Sequence, residues 1–219
     1  MSDAVKPRVD WSTLPKRMKS LAVDERGYPV PWFVQWVDGK PEFRAINPQK
    51  LLQALRSKLC WVCGEPLGVH LCFVAGPMCG INRTSSEPPS HLECGRWSAK
   101  NCPFLSNPKM VRREDALINN AGMRDNVAGF AITRNPGVAM LWITREFEMF
   151  RDQNGAPLIQ MGEPQSVEWY AEGREATRDE VQASIDGGLP ILEAMARTQD
   201  GAMEVLNRAV KRFERWLPK

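Results

Sequence analysis

Two pairs of residues in this 219-residue chain have the types and spacing of metal ligands. Cys60-x-x-Cys63-Gly64 has the shape of a tight turn that points two thiols at one spot. His91-x-x-Cys94 falls at the expected start of a helix, where residues three apart share a face. Thiolate and imidazole are borderline-soft donors, and four of them closing a tetrahedron suit a structural Zn²⁺. A catalytic ion would instead keep one position open for water. The positive end of a helix also favours the anionic thiolate of Cys94. Rival assignments stay open at this point. Cys60 and Cys63 could form a redox pair, although no thioredoxin-like βαβ pattern surrounds them. Cys79 or Cys102 could replace one of the four ligands. Cys72 lies in an apolar run and reads as core, and His70 reads as a strand histidine.

The elements that must position these side chains can be read on either side. "YPVPWFVQWVDGKPEFRAI" predicts a hairpin turning at Asp38-Gly39. "NPQKLLQALRSK" predicts a helix with Asn47 as N-cap and Pro48 at its first position, running straight into Cys60. "GVHLCFVAG" predicts a strand and "PMCGINRTSSEPP" an irregular return. In "SHLECGRWSAK", Ser90 and Glu93 form an expected capping box, and Pro103 ends the helix. The 27 residues between Cys63 and His91 leave room for a hairpin.

Beyond the connector "NCPFLSNPKMVRRED" the pattern changes. "GFAITRNPGVAMLWIT", "FEMFRDQNGAPLIQM" and "SVEWYAEG" predict a β-meander. Thr177 and Glu180 form a second capping box, opening a helix that should stop at Gly187-Gly188. A last helix from Pro190 carries Met195, Met203, Leu206, Val210, Phe213 and Leu217 on its apolar stripe. The fold class expected is α+β: an N-terminal hairpin and helix, a zinc-binding lobe, then a β-meander with C-terminal helices. The expected division is an arm over 1–25, a metal-binding lobe over 26–110 and a second lobe over 111–219.

The order of knuckle, hairpin and ligand-bearing helix over residues 58–102 resembles the treble-clef zinc-finger superfamily. That resemblance implies a structural zinc held by Cys60, Cys63, His91 and Cys94. Some treble-clef proteins are His-Asn-His nucleases, which need a metal-activating histidine, an asparagine and a second histidine. Only His70 and Asn82 could serve here, since the chain has two histidines and His91 is committed to zinc. The segments "YPVPWFV…GKPEFR", "CWVCG…GPMCGINRTSSEPPSHLECGRWSAKNCPFL" and "VEWYAEGREATRDEVQASIDGGLP" also look like a class of uncharacterised bacterial and bacteriophage proteins. This implies a small zinc protein of mobile-element type and no mechanism.

Other chemistry leaves no trace. There is no P-loop, GxSxG, HExxH or GxGxxG, and the deaminase pattern is absent. Glu168, Glu172 and Glu175 beside Arg174 and Arg178 read more simply as surface charge than as a catalytic cleft. Hydrophobic residues make up 43% of the chain, enough for a sizeable core. No apolar run reaches bilayer length and the N-terminus lacks a signal-peptide core, so a cytoplasmic protein with no membrane partner is expected.

The formal charge of +3 is unevenly spread. Residues 1–60 hold 11 Lys and Arg against 6 Asp and Glu, residues 61–115 hold 6 against 5, and residues 116–219 hold 12 against 15. Nucleic acid or a host protein is therefore the expected partner, with the basic first half favouring nucleic acid. Arg83 in the polar loop, and Arg96, Trp97 and Lys100 on the helix after it, are the candidate contacts, since cations bind phosphates and an indole stacks on a base. Arg208, Lys211, Arg212 and Arg215 form a further basic stripe on the last helix, opposite its apolar face. Its simpler reading is a solvated face, or one paired with Glu204 and Glu214.

Overall fold

The computed structural model describes residues 9–107, 135–152 and 155–219. It is a mixed α+β structure in which the sheet pairings are antiparallel. Strands β1 (Val34–Val37) and β2 (Lys40–Ile46) form the expected hairpin. Asp38 and Gly39 sit at φ 50° and 75°, the left-handed pair that matches the right-handed twist of the flanking strands. Helix α1 (Pro48–Ser57) is capped as expected: the Asn47 side chain accepts from the amides of Gln49 and Lys50. It ends at Lys58 in the left-handed region, and this turn delivers the chain to Cys60.

The central sheet contains β3 (Leu71–Ala75) and, from the second half of the chain, β5 (Ala139–Thr144), β8 (Ser166–Ala171) and β9 (Arg174–Glu175). Its order is β3-β5-β8-β9. Because side chains alternate along a strand, β5 serves two cores at once. Val138, Met140 and Trp142 belong to the main core, while Ala139, Leu141 and Ile143 belong to a second cluster on the other face. Helix α2 (Pro77–Asn82), α5 (Arg178–Ala196) and α6 (Ala202–Phe213) supply the main core's other wall. Helix α3 (Leu92–Asn101) covers the opposite face through Leu92 and Ala99, with the short α4 (Pro103–Ser106) following it. The result is three layers, with the ligand-bearing helix on one side of the sheet. A smaller sheet, ordered β4-β7-β6, consists of β4 (Thr84–Ser85), β7 (Pro157–Met161) and β6 (Phe147–Arg151). Both sheets cross the expected division near residue 110, since β3 pairs with β5 and β4 with β7.

Several local expectations are corrected. "PMCGINRTSSEPP" is an ordered return: α2 occupies its first half and β4 its second. The hairpin expected between Cys63 and His91 shrinks to one pair, Cys72 with Ser90, whose amides and carbonyls bond reciprocally at 2.9 and 2.7 Å. The Leu71–Ala75 run is apolar throughout and gains more burial against β5 than a local partner could offer. The strands of the second half likewise do not form a plain meander, because β6 and β7 leave for the smaller sheet. The strand expected at 129–133 and the turn residue Asn154 lie outside the described residues.

Ser90 does not cap α3. The cap position falls on His91, and Ser90 is spent on the bridge to Cys72. The capping box of Thr177 and Glu180 does form. Helix α5, however, runs through Gly187, Gly188 and Pro190 to Ala196. Gly188 is needed for contact: a Cβ there would stand 2.9 Å from Met78 Sδ, so the glycine lets α2 lie close. The break comes later, at Gly201 with φ 72°.

Candidate metal centre

The knuckle is built by backbone geometry. The Gly64 amide donates to the Cys60 carbonyl at 2.8 Å, and the Cys60 amide to the Glu65 carbonyl at 2.8 Å. Gly64 has φ 78°, and a Cβ there would stand 2.6 Å from the Trp32 ring, so both conformation and space demand glycine. Leu59 and Pro66 pair across the base of the turn. Trp61 stacks on Phe33 with ring centroids 4.6 Å apart, and the Trp32 amide donates to the Val62 carbonyl at 2.7 Å. The hairpin preceding α1 thus folds back to brace the turn.

From the other side, the Cys72–Ser90 bridge and the packing of α3 on the sheet place His91 and Cys94. Gly95 sits against the sheet so closely that a Cβ would meet Cys72 Sγ at 2.8 Å. This accounts for Cys72: it packs under α3, and burial pushes its thiol far above the ordinary range. The four expected ligands converge. Cys60, Cys63, His91 and Cys94 are all buried, and their ligand atoms lie within 4.8 Å of one another. His91 Nδ1 stands 3.4 Å from Cys63 Sγ and 4.0 Å from Cys94 Sγ.

The surrounding hydrogen bonds prepare these atoms for a cation. The amides of Cys63 and His91 both donate to Cys60 Sγ, at 3.5 and 3.3 Å, as anionic sulfur requires. His91 Nε2 lies 3.0 Å from the Pro66 carbonyl, which can only accept. The ring proton therefore belongs on Nε2, leaving the Nδ1 lone pair turned toward the sulfurs. Without a cation the group shares protons. Hydrogen bonds from Cys63 and Cys94 hold the Cys60 thiol far below its ordinary range, while Cys94 is pushed far up by Cys60 and Cys63. Beside Cys60 and then Cys63, the His91 imidazole is raised to about 10. A divalent ion would replace these protons, and the buried Cys3His donor set suits one.

Neither rival ligand takes part. Cys79 lies on α2 and Cys102 at the far end of α3, and both are outside the cluster. Their thiols are pushed up by burial, Cys79 to about 11.

Residues 9–18 complete the enclosure. Val9, Leu14 and Met18 pack with Cys60, Val62, Cys63, Cys94 and Trp97 in one buried cluster. Arg17 clamps the two ligand-bearing elements, reaching Glu65 at 2.7 Å and Glu93 at 3.0 Å. The arm is thus anchored through Leu14 and Met18. The contributions of Pro66, Trp32 and Arg17 were not legible in the sequence, because one acts through a carbonyl and the others meet the site only after folding.

The candidate nucleic-acid contacts are spread and internally engaged. Arg83 has both Nε and Nη2 on the Met161 carbonyl, at 3.1 and 2.9 Å, and Nη1 on Glu163 at 2.9 Å. Arg96 is held by both carboxylate oxygens of Glu168. Lys100 lies over the Tyr170 ring at 5.5 Å. Trp97 is buried at 7% exposure, so its ring presents no free face for a base. His70 contacts Gln165 at 3.1 Å on the exposed side of the sheet, whereas Asn82 closes α2. Arg174 pairs with Glu180 and Arg178 donates to the Pro218 carbonyl, so the charged turn near Glu168 is a set of structural contacts.

Searched against protein-family models, curated proteins and solved structures, the chain has no match. Its reading therefore rests on its own residues. Among the described residues no helix is long and apolar enough to cross a membrane.

Proposed function

We propose that the protein is a non-enzymatic zinc-containing accessory protein of phage or mobile-element type that binds nucleic acid. The observation that carries the reading is the buried, four-ligand Cys3His centre. A tetrahedral zinc with Zn–S near 2.3 Å and Zn–N near 2.0 Å would separate its ligand atoms by about 3.5–3.8 Å. The contacts of 3.4 and 4.0 Å around His91 Nδ1 agree with that spacing. Four protein ligands leave no position for a reacting water, so the zinc is structural. Knuckle, a pared-down hairpin and ligand helix follow one another in treble-clef order, with β3 paired elsewhere. The six cysteines are free, which suits a reducing, cytoplasmic setting. The excess of cations in residues 1–60 supports a polyanionic partner.

A host protein is the second reading, favoured by one feature. Trp36, Val37 and Phe43 on the β1–β2 hairpin are each about 40% exposed, which is the residue chemistry of a protein interface.

Elemental analysis together with titration of a labelled mixed-sequence duplex at two salt concentrations tests the proposal. One zinc per chain, and affinity that falls steeply with salt, is the expected result. A metal-free protein, or one that nicks plasmid with added Mg²⁺, would contradict it. Capture of a protein with salt-insensitive affinity would move the function to the second reading.

A further inference from the structure

The cations expected to touch nucleic acid are largely spoken for, but those on α6 are not. Arg208, Lys211, Arg212 and Arg215 recur at the three- and four-residue spacing that places them along one helical stripe. They span about 10 Å at a rise of about 1.5 Å per residue. Arg208, Lys211 and Arg212 are exposed, and among the described residues none makes an ion pair. The two acids of the same helical segment, Glu204 and Glu214, form no ion pair with them, so of the two simpler sequence readings the solvated face is the one seen. Arg215 lies over the Trp216 ring at 5.0 Å and reaches Glu163. Glu163 also receives Arg83, at 2.9 Å, and Arg212 lines the same shallow notch. Two guanidiniums therefore meet on one carboxylate, and Arg212 stands unpaired beside them. From residue 202 to the end, the chain carries five Lys and Arg against two Asp and Glu.

The other side of α6 settles what kind of polyanion fits. Leu206 and Phe213 are buried, and Met203, Ala209 and Val210 pack against the main core. Phe213 lies between the Trp142 and Trp169 rings, and the Trp169 indole donates to the Trp216 carbonyl at 2.8 Å. The helix is thus seated firmly, and with Val205 as its exposed large apolar side chain it has no continuous apolar face left to sink into a bilayer. What it presents is a rigid, convex row of mainly guanidinium donors. Guanidinium binds phosphate in bidentate fashion, and a fixed row of such groups positions a phosphodiester backbone without reading bases.

We infer that the exposed face of α6, from Arg208 through Lys211 and Arg212 to Arg215, is the surface that binds a nucleic-acid backbone independently of sequence. This rests on the reading of the chain as a nucleic-acid-binding protein, and it moves the contact from the zinc-bearing helix α3 to the opposite side of the central sheet. The row contributes backbone contacts, so its affinity follows salt more than sequence.

The test uses the full chain and a fluorescein-labelled 20-base-pair duplex of mixed sequence, with Arg208→Gln/Lys211→Gln/Arg212→Gln set against Arg96→Gln/Lys100→Gln. These α6 side chains are exposed and unpaired, so the triple variant should melt as the parent does. The expected result is a roughly tenfold or greater loss of affinity, with the log–log salt slope shallower by about one unit per cation removed. The α3 variant should bind as the parent does, and a second duplex of unrelated sequence should bind equally. If the triple variant binds like the parent while the α3 variant fails, the α6 assignment is overturned and nucleic-acid binding stands. If the parent binds no duplex, both fall. If the triple substitution abolishes binding to polyglutamate or phosphatidylserine vesicles and leaves duplex binding intact, the occupant is wrong.

Discussion

Around Trp142 the chain gathers fifteen buried apolar residues from two sheets and four helices, whereas around Cys60 it gathers eight, three of them cysteines of the Cys3His cluster. The first cluster is held by area. Trp142, Phe73, Met140 and Met161 are almost wholly enclosed, and the Trp142 indole is satisfied by the Gly162 carbonyl at 2.9 Å. The second is held by geometry: a tight glycine turn, a helix end and a short N-terminal segment meet at four polarisable side chains. Its apolar cluster is about half the size of the first, and a bound ion would add a stabilisation that the unfolded chain lacks. The difference teaches that one chain can stabilise adjoining regions by unrelated means. Helix α3 is the seam, facing the sheet through Gly95 and Ala99 and the ligand cluster through Cys94 and Trp97.

The sharpest way to break this comparison is to remove a ligand. Cys63→Ser or Cys94→Ser should lose the metal and unfold the knuckle region, because metal binding in isolated finger-sized units is worth on the order of 10 kcal/mol. Hydrogen exchange on chelator-treated parent protein should show lost protection over 9–18, 59–67 and 90–100, with β5 and β8 still protected. A soluble, metal-free variant with unchanged melting would show that the ligand cluster needs no metal.

Trp142→Ala attacks the other region. It should cost about 3–5 kcal/mol and lower the melting temperature by roughly 10 °C or more, while the folded fraction keeps its metal stoichiometry. Simultaneous loss of metal would mean that the two regions unfold as one.

Gly64→Ala is a smaller test, placed at the knuckle. A side chain at φ 78°, facing the Trp32 ring, should cost about 2 kcal/mol or more and show as weaker metal retention against a chelator. Normal retention would mean that the turn tolerates the strain.

The smallest effect concerns acid. Arg174 and then the Thr177 amide hold the Glu180 carboxyl at about 2, against 4.5 for the free side chain. Its folded pKa is depressed, so its contribution is complete above about 4.5 and fades as pH falls toward 2. Glu180→Gln should therefore lower stability slightly at neutral pH and flatten the acid limb of the stability profile. An unchanged limb in thermal melts from pH 6 to pH 2 would show that solvent screens the pair.

Local chemistry made much of this legible. Asp38-Gly39, Asn47-Pro48 and Thr177…Glu180 each act within a few residues, and each forms the turn or cap its residue types dictate. The convergence of Cys60, Cys63, His91 and Cys94 was legible for the same reason, since a C-x-x-C turn and an H-x-x-C helix start constrain their own geometry before anything packs on them. Ser90 shows where this fails: its side chain suits a cap, but the bridge with Cys72, eighteen residues away, takes its backbone.

What only the tertiary structure decided is pairing and exposure. β3 pairs with β5 because a strand apolar on both faces must be buried on both, and no local pattern names the partner. Gly188 lies inside α5, where close packing against Met78 of α2 offsets what propensity costs, and the helix continues through Pro190. The same holds for charge. Arg83, Arg96 and Lys100 looked free in the sequence and are engaged in the fold, whereas Arg208, Lys211 and Arg212, which the sequence left either solvated or paired, stand open. Which cations face solvent unpaired depends on which acids the sheets bring beside them, and that is settled by long-range pairing rather than by residue type.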